Sequence, residues 1–170
     1  IDATRAAPGA AAASSATSTT LTPPADVPDV WPVPLNIRSR DSVDAALAEV
    51  LARHGRVDCL VNNGGGQFAS YAGDIRPRGW EAVIETNLSG TWHMCQSLYQ
   101  QTPEDKRRGM SIVNVIADMF NGFPGMAHTG AARAAVDNLT KTLSREWGSE
   151  GIRVNSVAPG IILSSGMNNY

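Results

Sequence analysis

An apolar run, Leu60-Val61, ends on Asn62 and Asn63 and passes straight into three consecutive glycines, Gly64, Gly65 and Gly66. Three glycines in a row carry a conformational-entropy cost that an ordinary turn does not require; what they gain is backbone that a ligand can approach closely. A strand that stops on such a loop reads as the floor of a nucleotide site at the carboxyl edge of a parallel sheet. No G-x-G-x-x-G fingerprint follows any apolar run upstream of it, so the usual pyrophosphate anchor has no counterpart in this sequence.

The rest of the pattern alternates strands with helices. Residues 31–36 form a short extended run carrying Pro32 and Pro34, which predicts an edge strand. Val43, Leu47, Val50 and Leu51 recur at helical spacing and predict a helix that opens around Asp41 and Asp44 and ends at His54-Gly55. A central strand is expected over 57–61. A helix follows from Pro77 through Leu88, its pattern continuing through Trp92, Cys95 and Tyr99. Then come a strand over 111–116, a glycine-containing loop, a helix over 129–147 and a strand over 152–157. This alternation predicts an α/β fold, a doubly wound parallel sheet covered on both faces.

Composition narrows the function classes. With 42% apolar residues in 170, one domain with a real core is feasible, and no segment is apolar for long enough to span a membrane. A net charge of -2 with scattered basic residues gives no footprint for nucleic acid. Cys59 and Cys95 lie in apolar patterns without the spacing of a disulfide scaffold, which favours a reducing compartment, and no metal-ligand cluster is evident. Residues 6–22 are almost entirely Ala, Ser, Thr, Gly and Pro and lack the large apolar area needed to dock a helix; residues 1–30 are therefore expected to be a low-complexity, flexible insertion. They also lack the pattern of a secretory signal.

Four ordered segments carry a resemblance: Leu60 to Gly65, Glu85-Thr86-Asn87-Leu88-Ser89-Gly90, Ser111-Ile112-Val113-Asn114, and Ile152 through Gly160. Together they resemble the short-chain dehydrogenases/reductases, over residues 31–170. Asn62 through Phe68, Gly79-Trp80, Gly122-Phe123-Pro124, His128 through Arg133 and Asn168-Asn169-Tyr170 are similar to the peroxisomal trans-2-enoyl-CoA reductases and the dienoyl-CoA reductases within that family. The resemblance implies a Rossmann-like fold, NADP (NADPH) as cofactor, an acyl-CoA thioester as substrate, a homo-oligomer, and a place in fatty acid metabolism, in the peroxisome, with the mitochondrion and the cytoplasm as alternatives. It implies reduction of trans-2-enoyl-CoA; the alternatives are a 3-ketoacyl or carbonyl reductase, a 2,4-dienoyl-CoA reductase, or a non-catalytic structural homologue.

By the same resemblance, Asn62, Gly64 and Gly65 run beside the adenosine half of the cofactor, Asn36 borders the adenine, and Pro159, Gly160 and Ile161 lean on the nicotinamide amide. Asn87 matches an asparagine that distorts its helix and holds a water in the proton path. The family's usual Ser, Tyr and Lys fall on Ala117, Thr129 and Arg133. Arginine can still donate to ribose hydroxyls but stays charged, and a threonine hydroxyl is no acid near neutrality. Candidate catalytic residues are therefore Asn87, Arg133, Thr129 and Asp118, the last standing near where dienoyl-CoA reductases place a tyrosine. Asp137 and Lys141 read as a surface ion pair at i,i+4. His128 reads as a loop histidine, able to supply a proton near neutrality but more simply structural.

In the family's sheet order 3-2-1-4-5-6-7, residues 31–36 match strand three and residues 57–61 strand four. Strands one, two and seven then have no counterpart, so residues 31–170 are expected to be a partial NADP-binding domain that is incomplete as a cofactor-binding unit.

Overall fold

The computed structural model describes residues 30–160. The chain divides into two units, Ile1–Pro32 and Val33–Tyr170, and every element below belongs to the second. The flexible character expected for residues 1–29 lies outside the described residues.

Helix α1 spans Arg40–His54. The Ser39 side chain caps it by accepting from the Ser42 backbone N–H, and Gly55 ends it in the left-handed region at φ 77°, a conformation glycine adopts without a Cβ penalty. Strand β1 follows at Cys59–Asn62, then helix α2 at Pro77–Ile84, entered with proline in the first turn, where its missing N–H costs nothing. A π turn over Glu85–Ser89 joins α2 to α3 at Gly90–Gln101. The short α4 covers Glu104–Arg107, β2 Ser111–Val115, α5 Ala127–Glu146 and β3 Arg153–Val157.

The three strands are parallel, in the order β1-β2-β3. Their register sets Leu60, Ile112 and Val154 in one row and Asn62, Asn114 and Ser156 in the next row on the same face. Against that face the helices supply Val43 and Leu47 from α1, Cys95 and Leu98 from α3 and Leu143 from α5, which join Met110, Trp147 and Ile152 in one buried cluster. Each fully buried side chain of this size contributes about 1.5–3 kcal/mol relative to exposure.

One expectation is corrected. Residues 31–36 do not form a strand: among the described residues no ladder includes them, because Pro32 and Pro34 offer no N–H and no strand lies beside them to accept a pairing. Among the described residues helices cover one face of the sheet, in keeping with the incomplete doubly wound fold expected from the sequence. On its other face Val61 is 57% and Val157 51% exposed, and among the described residues nothing fills the layer that a doubly wound sheet carries there. The α/β architecture holds, in incomplete form.

Candidate active site at the carboxyl edge of the sheet

The site forms where β1 and β2 end. Asn87 sits in the π turn, wholly buried. Its Nδ2 donates to the Val83 carbonyl (2.8 Å) one turn back and to the Gly66 carbonyl (2.6 Å) of the glycine loop. A side chain that competes with the helix's own backbone bonds makes a bulge favourable there, and the bond to Gly66 fixes the loop to it. Asn87 Oδ1 is buried and has no hydrogen-bond partner among the described residues.

Arg133 reaches the same place from α5. It is 9% exposed, donates from Nη1 to the Val115 carbonyl (2.7 Å) at the end of β2, and has no carboxylate partner among the described residues. Burial lowers its pKa from the ordinary guanidinium value, which still leaves it charged. A Cβ placed on Gly65 would lie 2.8 Å from Asn87 Oδ1 and would run into Arg133 Nη2. Glycine is therefore required at 65 by close approach. The orphaned acceptor and the unpaired cation converge over it, in a cradle that a side chain would fill.

Beside this cradle lies a cleft of about 190 Å³ between Leu35, Ile37, Gly64, Gly90, Thr91 and Met94. Ile37 packs against Gly64 and Gly90, and His93 Nδ1 holds the Ile37 carbonyl at 3.0 Å. The apolar walls and a glycine floor suit a flat ring.

The other sequence candidates fall in several places. Asn62 turns its side-chain amide into the helical layer, where Nδ2 donates to Asn114 Oδ1 (2.8 Å) and Cys95 Sγ (3.2 Å). Asn114 Nδ2 continues the chain to Thr140 Oγ1 (2.9 Å), which donates to the Val136 carbonyl (2.8 Å). Burial pushes the Cys95 thiol within this network up to about 12. Asn36 closes the turn into α1, its Oδ1 accepting from the Arg38 N–H. Asp118 stands in an exposed bend, without a hydrogen bond or ion pair among the described residues. Pro159 is half-buried and Gly160 exposed in the irregular segment after β3; Ile161 lies outside the described residues. Asp137 and Lys141 form the expected ion pair (2.6 Å), and Asp137 also accepts from Ser156 of β3 (3.0 Å).

Thr129 is buried one turn before Arg133, in the first turn of α5. Its N–H donates to the Nδ1 of His128, and its hydroxyl lies 3.3 Å from the same nitrogen. His128 is fully buried rather than a loop residue, because α5 begins at Ala127, earlier than its apolar pattern indicated. Burial holds its pKa below the ordinary histidine value, with the Met126 backbone acting the other way.

Residues 8–170 match the family model for short chain dehydrogenase. The chain is 38% identical over 142 residues, 82% of its length, to a (3E)-enoyl-CoA-producing peroxisomal 2,4-dienoyl-CoA reductase of Danio rerio, covering 45% of that protein. It is 37% identical over 134 residues, 78% of its length, to the 3-oxoacyl-(acyl-carrier-protein) reductase FabG of Thermotoga maritima, covering 54% of it. Among solved structures, the citronellol catabolism dehydrogenase AtuB of Pseudomonas aeruginosa PAO1 matches with a TM-score of 0.69 at 42% identity, over 74% of this chain and 51% of that one. The chain therefore belongs to the short-chain dehydrogenase family, and its parallel sheet with helices is in keeping with that family's fold. It spans about half the length of the curated relatives it matches.

Proposed function

We propose that the protein containing this chain is an oxidoreductase that reduces the double bond of a trans-2-enoyl-CoA thioester with NADPH. The observation that carries this reading is the convergence of Asn87 Oδ1 and Arg133 Nη2 over Gly65. A buried acceptor without a donor and a buried cation without an anion are each costly unless something polar comes to meet them. A nicotinamide ribose, with hydroxyls that donate and accept, fits that pair, and the cleft beside Gly64 fits the adenine.

When bound, the reduced nicotinamide would supply a hydride to the β-carbon of the substrate, and the α-carbon would take up a proton from a water held beside it. The chain's own residues do the rest: Arg133 donates to ribose hydroxyls, the Gly64-Gly65 backbone lets the cofactor lie close, and Asn87 Oδ1 holds a donor, such as a water, beside the reacting atoms. Reduction of a ketone develops an alkoxide that needs a nearby acid. Thr129 stands at the family's tyrosine position and is no such acid, which favours a carbon-carbon double bond over a carbonyl. The relatives support the thioester class, one being named a dienoyl-CoA reductase and another a 3-oxoacyl reductase. The reading is independent of compartment, since peroxisomal and bacterial relatives stand at similar identity.

The test follows loss of the reduced cofactor when the complete reading frame is given a medium-chain trans-2-enoyl-CoA, a 2,4-dienoyl-CoA or a 3-ketoacyl-CoA, each with NADPH and with NADH. Fastest turnover is expected for the enoyl substrate with NADPH. Faster turnover of the ketone would assign the protein as a carbonyl reductase, and none with any substrate would assign a non-catalytic homologue.

A further inference from the structure

The cleft beside Gly64 has a wall that no strand supports. Leu35 and Ile37 line it, yet among the described residues their segment joins no ladder. Side chains hold it instead. The Asn36 N–H donates to Ser42 Oγ (2.9 Å) and the Ser39 N–H to the Asn36 carbonyl (3.0 Å), which fastens the segment to the start of α1. His93 of α3 grips the Ile37 carbonyl from the other side. Immediately beyond, Arg38 reaches across to Glu85: its Nε donates to Oε2 at 3.0 Å, and its Nη2 donates to the same oxygen.

Glu85 opens the π turn, two residues before Asn87. The pair therefore joins the segment that carries Ile37 to the turn that carries the orphaned Asn87 Oδ1. Ile37 is seated closely: a Cβ on Gly64 would lie 3.2 Å from its Cδ1, and one on Gly90 2.9 Å from its Cγ1. A small displacement of residue 37 thus changes the width of the cleft. The Arg38 and Glu85 side chains are 47% and 50% exposed, and a pair so wetted adds little to global stability. Its effect is local, on where Ile37 stands.

We infer that Arg38 and Glu85 are a positioning pair for the cofactor, their ion pair holding Ile37 as the adenine-side wall of the cleft. This rests on the function proposed above and extends it to the cofactor half of the site. Neither charged side chain lines the cleft; both act through Ile37. Where the wall is free to swing, only molecules that have it seated bind, and the apparent affinity falls with that fraction.

The experiment uses the protein of the complete reading frame, with NADPH as the probe in calorimetric titration. Glu85→Gln separates positioning from plain attraction. An arginine freed of its carboxylate would draw the anionic cofactor more strongly, whereas loss of the pair should weaken NADPH binding about threefold to fivefold, the scale of one exposed ion pair. Arg38→Gln should weaken it at least as much, and the charge-exchanged double variant, Arg38→Glu with Glu85→Arg, should recover most of the loss. Beside Ile37→Ala, Glu85→Gln should have no further effect, because no wall remains to be placed. In turnover of a trans-2-enoyl-CoA the loss should fall on KM for NADPH and leave kcat alone. Tighter or unchanged NADPH binding in Glu85→Gln, an effect that persists in full beside Ile37→Ala, or a Glu85→Gln protein that loses its fold overturns the inference and leaves the proposed function standing. Failure of the unaltered protein to bind NADPH overturns both.

Discussion

Replacing Gly65 with alanine tests the cradle most directly. The added Cβ would stand 2.8 Å from Asn87 Oδ1 and inside the van der Waals boundary of Arg133 Nη2, so one of the two side chains must yield. Asn87 is held by two hydrogen bonds within the π turn, which leaves Arg133 to move. If the core absorbs the methyl by strain, overpacking costs about 1–3 kcal/mol. If Arg133 swings out, the charge-assisted bond to the Val115 carbonyl is lost, at about 1.5–3 kcal/mol. Against either stands about 0.4–1 kcal/mol gained from a less flexible unfolded chain. The net expectation is a destabilisation of about 2 kcal/mol, or a melting temperature about 6 °C lower for a domain of this size. Gly66→Ala is the internal control: its Cβ meets only Thr86 Cγ2, at an ordinary 3.7 Å, and the variant should match the unaltered chain or exceed it slightly. Urea denaturation followed by circular dichroism measures both. A Gly65→Ala chain as stable as the original, or a Gly66→Ala chain equally weakened, would refute the close-approach argument. The double variant with Arg133→Ala adds a check, since removing the guanidinium should return most of the lost stability relative to Arg133→Ala alone.

Three further outcomes follow from the same coordinates. Asn114→Leu strands the amide of Asn62 in the buried network and should cost about 3 kcal/mol by the same denaturation assay, whereas a change below about 1 kcal/mol would mean that the network is not coupled. Cys59 is exposed and Cys95 buried with its thiol pushed up to about 12, so an aromatic disulfide reagent should titrate one thiol in the native chain and both in denaturant. Asp137 has its pKa lowered from 3.8, first by the Lys141 hydrogen bond and then, against desolvation, by Ser156. A carboxyl depressed in the folded state contributes stability that is present above its unfolded pKa and is lost as pH falls through the folded one. Stability measured from neutral pH downward should thus decline more steeply below about pH 3.8 in the original chain than in Asp137→Asn, and superimposable acid limbs would contradict the assignment.

What the sequence by itself determined was local. Helical spacing placed α1, α2–α3 and α5 within a few residues and short apolar runs placed β1 to β3, while the helix distortion at Asn87, implied by the family resemblance, is the π turn. Spacing and apolar runs are properties of neighbouring residues: side-chain period and proline and glycine backbone limits. The three glycines likewise announced a close approach, but only the tertiary structure decided that Arg133, 68 residues further on, is one of the groups that approach Gly65. It alone turned Asn62 inward onto Asn114, buried His128 under Phe68, and left residues 31–36 without a ladder. Each of these depends on a partner distant in the chain, and a residue's own sequence neighbourhood carries no information about whether that partner arrives. The run at 31–36 makes the point in physical terms, since a strand is completed by hydrogen bonds to another strand and no local pattern can supply them.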